Sequence, residues 1–502
     1  MYITNLKISD SILTNNYPRS QLMNRKILKK AFSFVFSLFL IISFVSCSKG
    51  DCNTDAVIST YTQATTQEKE ITTTLESDTI ASTEKDTTED ITVIVPIETE
   101  ITEIPIINIV TDDGKEITSK SEYKHGKMSI SCDEKSGFDN CTLENIGINI
   151  RGRGNASWNQ FPKKAYRIKL DESCSILGLK KDKDWVLVSS YPDKTLMRNV
   201  VAHEMAKQLE HLEYTPTHIL IELYLNGEYR GVYTIAEKIE FGGGKLEYEA
   251  DKFLENTSYL MEVGWDYNDK MIYGQNYFDT GYIERIVIKE PDFESRYTPS
   301  GNYIINYMKK AEKAVTTLNG YEEFIDVDSL IDFLIITEFT NNTEAVFYRS
   351  CYMYKPSDGK LKFGPVWDFD MAFGNHTSDI RGYNGWCGVD NTFSYLGKNG
   401  KTWYHFLFKD PNFTSRFAER WDEVKDALLQ TALDTIDTQY KAVLGAQTRN
   451  FDRWDILNKK IGAGNVDHRT YNTFDLQVEY LREFINTRYN WIDENISEFR
   501  LQ

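Results

Sequence analysis

Val366-Trp367-Asp368-Phe369-Asp370-Met371-Ala372-Phe373-Gly374 sets two carboxylates two residues apart inside a wrapping of large apolar side chains. Trp, Phe and Met call for burial. A carboxylate carried inward with them costs free energy unless something positive meets it. A bound cation is such a partner; without one the group protonates or the fold is weakened. Paired aspartate oxygens are hard donors that suit Mg²⁺ or Mn²⁺ carrying a polyphosphate. The stretch therefore points to an enzyme that uses a nucleotide, with Asp368 and Asp370 as metal ligands. Just upstream, residues 352–355, the Asp358-Gly359 turn and residues 361–364 read as a hairpin that delivers the pair.

Further back, strand-like residues 142–150 run into Arg151-Gly152-Arg153-Gly154-Asn155-Ala156-Ser157-Trp158. Glycines interleaved with arginines can present backbone N–H groups and cations to an anion. Residues 163–170 then alternate. Tyr166, Ile168 and Leu170 make one face; Lys163, Ala165, Arg167 and Lys169 make the other. A basic strand face beside a Gly-rich loop suits phosphate, although such a face is ordinarily just solvated. Asp193-Lys194-Thr195-Leu196-Met197-Arg198-Asn199 opens a helix to about Leu209, capped by Asp193 or Thr195. Its apolar stripe holds Met197, Val200, Val201 and Met205. Glu204 falls inside that stripe, where it needs a cation from the basic strand unless it reaches solvent at the helix edge. Residues 219–225 and 228–235 flank Asn226-Gly227, a pair that accepts the positive φ values of a two-residue hairpin turn. Residues 260–263 add another strand. A strand-rich region thus spans roughly residues 104–295. Helical periodicity follows at 304–318, 327–339, 413–429 and 474–499.

The 502 residues, 41% hydrophobic, can bury a substantial core. A net charge of −18 argues against nucleic acid as a partner. Near the N-terminus, Arg25, Lys26, Lys29 and Lys30 precede an apolar run from Ala31 to Val45, ending at Ser46-Cys47. This is the pattern of a secretory signal, too short for a comfortable membrane span. Cys47 sits where a bacterial lipobox places its lipidated cysteine, and Met23 is the natural start for such a signal. Residues 1–47 are read as the signal, with Cys47 tying the protein to the outer side of the cell membrane. Residues 48–103, rich in Thr, Ser, Glu and Asp, cannot bury enough surface to offset their ordering entropy and read as a disordered tether. Residues 104–502 form the folded domain. Cys132 and Cys141 flank a polar loop and either pair or stay free. No Cys-x-x-Cys or His/Cys cluster suggests zinc.

Taken in order, these segments resemble the CotH family, the spore-coat-protein-H-like atypical kinases. The resemblance is carried by residues 151–158 with Lys163-Lys164-Ala165-Tyr166-Arg167, Trp185-Val186-Leu187, and residues 193–199. It continues through residues 222–233 with Glu237-Lys238, and through Gly364-Pro365 leading into the Asp368 motif. It implies an α+β, divergent two-lobed protein-kinase-like fold, with a strand-rich N-lobe, a helical C-lobe and a helical C-terminal extension. It implies ATP with Mg²⁺ or Mn²⁺, and Ser/Thr phosphorylation of surface or spore-coat-like proteins. Carried over, Arg151, Arg153, Asn155 and Ser157, with Lys163, Lys164 or Arg167, would hold phosphates. Glu204 would pair with the strand lysine, as in protein kinases. The family's catalytic-loop aspartate falls on Glu344, in Glu338-Phe339-Thr340-Asn341-Asn342-Thr343-Glu344, with Asn342 beside it. One extra methylene moves a carboxylate by about 1 Å, a displacement that can cost on the order of a hundredfold in rate.

Three functions stand at this point. The first is an exported ATP-dependent Ser/Thr kinase. The second is a non-catalytic nucleotide-binding or surface-assembly module on the same fold. The third is a nucleotide-sugar glycosyltransferase with Asp368 and Asp370 as its metal motif; the basic loop before the helix and the lack of doubly wound strand–helix alternation count against it.

Overall fold

The computed structural model describes residues 104–500 apart from 134–135, 140, 265–271, 293–298, 377–381, 389–399, 463 and 465. These lie in one compact unit, Ile94–Gln502. The signal, Met23, Cys47 and the tether fall outside the described residues.

Alternating strands build a closed barrel. β1 (Ile106–Thr111), β2 (Lys124–Ser131), β3 (Leu143–Arg153), β4 (Ala165–Cys174), β5 (Asp182–Val188), β6 (His218–Leu225) and β7 (Glu228–Glu237) run in the order β1-β2-β3-β4-β5-β7-β6. A parallel pairing of β1 with β6, Ile106 opposite Glu222, closes the ring. Ile107, Ile109, Ile148, Ile150, Ile168, Leu187, Ile221 and Leu223 fill the interior, so it is a packed core rather than a channel. Tyr166, Ile168 and Leu170 point inward as their spacing requires. Asn226 and Gly227, at φ 53° and 80°, make the β6–β7 turn. Cys132 and Cys141 are joined as a disulfide, with Cα atoms 5.6 Å apart, across the β2–β3 connection.

A second, antiparallel sheet follows, ordered β12-β11-β8-β10-β9. Its strands are β8 (Tyr259–Val263), β9 (Tyr277–Phe278), β10 (Ile286–Glu290), β11 (Cys351–Lys355) and β12 (Lys362–Phe363). The helices are α1 (Ala156–Asn159), α2 (Arg198–Ala206), α3 (Pro299–Thr317), α4 (Val327–Thr340), α5 (Tyr404–Leu407), α6 (Pro411–Arg453) and α7 (Phe474–Asn495). The protein is thus mixed α+β, strand-rich first and helical after. None of the described helices is long and apolar enough to cross a membrane.

Two elements differ from their sequence reading. The helix expected from Asp193 begins only at Arg198. Asp193 stays in the preceding loop, where its carboxylate accepts the N–H groups of Thr195 and Arg198 and pairs with the Arg198 guanidinium at 2.6 Å. The stripe at 413–429 belongs to a 43-residue helix, α6, about 65 Å long at 1.5 Å per residue.

The far end of α6 is fastened to the barrel at β7. Asn450 Oδ1 accepts the Val232 N–H at 3.0 Å and Lys163 Nζ at 3.1 Å, and Trp454 donates to the Arg230 carbonyl at 2.8 Å. Gly231 lies beneath them at φ 104°, and a Cβ there would come within 2.6 Å of Asn450 Oδ1. Gly231→Ala should combine backbone strain with overpacking and lower stability by about 1–3 kcal/mol. Chemical denaturation of the full chain reads the loss; an unchanged midpoint would mean that α6 does not dock through this contact.

Candidate active site

Three asparagines grip the backbone of the acidic turn. Asn199, on α2, accepts the Phe369 N–H at 2.8 Å. Asn342, just past α4, donates to the Asp368 carbonyl at 3.2 Å. Asn375 donates to the Asp370 carbonyl at 2.8 Å and to that of Pro192 at 3.2 Å. Main-chain groups are thereby satisfied while the two carboxylates stay available. Trp367 packs where the outside of the barrel (Val186, Ala236) meets the second sheet (Leu260, Tyr352, Tyr354). That junction anchors the turn between the two halves of the fold.

The local backbone is strained. Of the twelve described non-glycine residues at positive φ, five lie here: Asn341, Phe347, Ser350, Asp368 and Phe373. Left-handed conformations cost bulky residues roughly 1–3 kcal/mol each and gather where function over-determines geometry.

The side chains make an acidic centre. Ser350 Oγ donates to Asp368 Oδ2 at 3.1 Å. Burial, then the charges of Asp368 and Glu344, hold Asp370 well above the usual carboxylate range. Burial likewise raises Asp368, while the Ser350 hydroxyl and the Arg153 guanidinium pull it back. Glu344 is pushed up to about 7 by burial and by Asp368, against the pull of Arg349 at 3.1 Å. Among the described residues neither Asp368 nor Asp370 forms an ion pair. Glu262, on β8, adds a further negative charge felt by Asp368 and is itself paired with Lys289 at 2.9 Å.

A hard divalent cation fits this donor set. Two carboxylates with raised pKa values lack a positive partner, and a cation would relieve their repulsion. Among the described residues no group of three His, Cys, Asp or Glu side chains could by itself hold a metal ion. That suits an ion such as Mg²⁺, which commonly takes one or two carboxylates and completes its shell with phosphate oxygens and water.

Of the expected phosphate-binding residues, Arg153 faces this centre. Its guanidinium lies 5.5 Å from the Trp367 ring and makes no hydrogen bond or ion pair among the described residues. The others have other work. Arg151 donates to the Lys120 and Gly152 carbonyls. Arg167 binds Asp184 through Nε and Nη2, at 2.9 and 2.6 Å. Lys164 bonds the Trp158 carbonyl. Lys163 is fully buried and bonds the Val232 carbonyl and Asn450; burial lowers it to about 7. Asn155 Oδ1 accepts from Asn159 at 3.1 Å. A Cβ on Gly152 would strike the Trp158 ring, and one on Gly154 the Ser157 hydroxyl. These glycines therefore make room for the loop's own side chains. Glu204 does not take its cation from the basic strand. It sits partly exposed at the helix edge and pairs with Lys207, three residues on, at 2.6 Å.

Sequence reading missed Ser350, Arg349, Glu262 and Asn375. Asn199 was inside a quoted segment but carried no signal of its role. Also missed was a buried node behind the centre. Glu338 accepts the N–H groups of Cys387 and Gly388 and pairs with Arg488 at 3.0 Å. Arg488 in turn donates to the Glu338, Tyr383 and Gly385 carbonyls.

Fold and site together describe a buried acidic centre where a strand-rich barrel meets a second sheet. The chain matches the family described as CotH kinase protein over residues 148–492, well over half its length. It belongs to that family, and membership implies possible kinase activity and ATP use. No curated protein matches the chain.

Proposed function

We propose that this protein is an ATP- and metal-dependent Ser/Thr protein kinase of divergent two-lobed architecture. The barrel serves as the N-lobe, the helices from α3 onward form the C-lobe and its C-terminal extension, and the acidic turn lies between them. The observation that carries the reading is the convergence of Asp368, Asp370 and Glu344, the first two without a cation, opposite the unengaged Arg153. Asp368 and Asp370 hold the divalent ion, and bound ATP supplies the phosphoryl group. Arg153 meets phosphate charge. Glu344 accepts the proton of the incoming Ser or Thr hydroxyl, a task suited to a carboxylate near pKa 7. Asn342 fixes the turn that sets the distance between them. The substrates are surface or spore-coat-like proteins, and the signal and Cys47 place the enzyme outside the cell membrane on a lipid anchor. A second reading, a nucleotide-binding surface module without turnover, is favoured by the clamp of Arg349 on Glu344.

The test is the melting temperature of the full chain with ATP, with and without Mg²⁺ or Mn²⁺, alongside transfer of labelled γ-phosphate to protein. A metal-dependent rise with transfer supports the kinase; a rise without transfer supports the binding module. Asp370→Asn should erase the rise without unfolding the apo-protein, since it removes a like charge. If Asp368→Asn and Asp370→Asn both keep the full rise, the metal site lies elsewhere.

A further inference from the structure

Behind the acidic turn, away from its carboxylates, His203 of α2 and His218 of β6 stack with ring centroids 4.0 Å apart. Both are buried, at 0% and 3% exposure. The stack carries the apolar residues that flank Asp368. The Trp367 ring lies 5.1 Å from His218 and 6.0 Å from His203, and the Phe369 ring lies 5.4 Å from His203. His203 Nδ1 bonds the Asn199 carbonyl at 2.7 Å, and Asn199 is the residue that holds the Phe369 N–H. His218 Nδ1 meets the Thr234 hydroxyl at 3.2 Å, and its Nε2 has no partner.

We propose that the His203–His218 stack is the positioning device of the Asp368–Asp370 turn, and that it works only while both rings are neutral. The charged groups that face the pair are cations: Lys207 from the end of α2 and Arg153 from β3. β7 contributes only the Thr234 hydroxyl, and the segment after β12 contributes the two aromatic rings. Among the described residues no carboxylate acts on the charge of either ring. Two imidazolium ions 4 Å apart in such surroundings would repel each other and lose their packing. Burial lowers both histidines accordingly, His203 to about 4 even though the Asn199 and Val366 carbonyls favour its charged form.

The consequence is a proton-linked opening. When the turn lifts away, each imidazole regains a pKa near 6.5. Well below that pH, and above the pKa values of the closed state, each unit should favour the open state by nearly tenfold per histidine, and so by up to about a hundredfold for the pair. The sign separates this effect from the carboxylates. Asp370 and Glu344 are raised in the closed state, so acid acting through them favours closure.

Hydrogen exchange of the full chain, followed in peptides spanning residues 366–372 between pH 6.5 and 4.5, is the test. Opening constants, corrected for intrinsic rates, are compared between wild type and the His203→Gln/His218→Gln variant. Dividing one by the other cancels the carboxylates. Across that pH range the quotient should rise on the order of a thousandfold, most steeply below pH 5.5, with each single variant accounting for about fortyfold. If the double variant does not fold, the single variants carry the test. A quotient independent of pH overturns the proposal. The proposal uses the nucleotide-site reading only for its effect on activity. A wild type that shows no metal-dependent ATP stabilisation would sink that reading and leave the exchange result to decide the histidines.

Discussion

Replacing Arg488 with Met should cost about 3–5 kcal/mol of stability, the usual result of leaving a buried charge without its partner. Glu338 is 1% exposed and Arg488 is fully buried. Burial raises Glu338, and Arg488 is the main group drawing it down. Without the guanidinium, Glu338 must either stay charged in an apolar setting or take a proton. The three carbonyls that Arg488 now serves also lose their donor. Two of them, Tyr383 and Gly385, belong to the segment that follows the acidic turn, so loss of order should begin there. Urea denaturation of the full chain reads the effect, and a midpoint equal to wild type would rule the node out as a fastening. Glu338→Gln combined with Arg488→Met should cost less than the separate losses added together, because the charge left behind is gone.

The second large effect should fall on turnover. Glu344→Gln keeps the size of the side chain and removes its basicity. Loss of a general base typically costs 10²–10⁴-fold in rate, while metal-dependent ATP stabilisation should survive. Glu344→Asp is the informative companion. If the family's shorter carboxylate is the better base, turnover rises with ATP affinity unchanged. An unaltered rate in both variants would place the base elsewhere.

Much of this fold is written locally. The alternation of Tyr166, Ile168 and Leu170, the Asn226-Gly227 turn, and the paired β11 and β12 all follow from patterns only a few residues long. The pair Asp368 and Asp370 stands out in its own motif, but Asn342 and Glu344 were legible only through the family resemblance, since no local pattern joins the end of α4 to a turn 26 residues on. What escaped reading depends on distant partners. Barrel closure rests on Ile106 meeting Glu222, and nothing near either residue announces it. Arg151 and Arg153 occupy equivalent positions two residues apart, yet one is spent on the Lys120 carbonyl and the other faces the acidic centre. Helical angle alone put Glu204 in the core; the actual packing around α2 leaves it at the edge. Glu338 and Arg488 are separated by 150 residues, and a charge alone does not name its mate.

Everything N-terminal to the domain joins it through β1, and that strand is gripped along its length on both sides. Ile106 to Ile109 lie parallel to residues 222–225, and Ile106 to Thr111 lie antiparallel to residues 126–131. A pull applied to Ile106 along the strand axis would meet both ladders at once. It loads the ladder bonds together, in shear, instead of peeling them one after another, because they stand across the line of force. The Cys132–Cys141 bond shortens the length that the next connection could pay out. Such a load would meet the β1 ladders on both sides before it could reach the acidic turn.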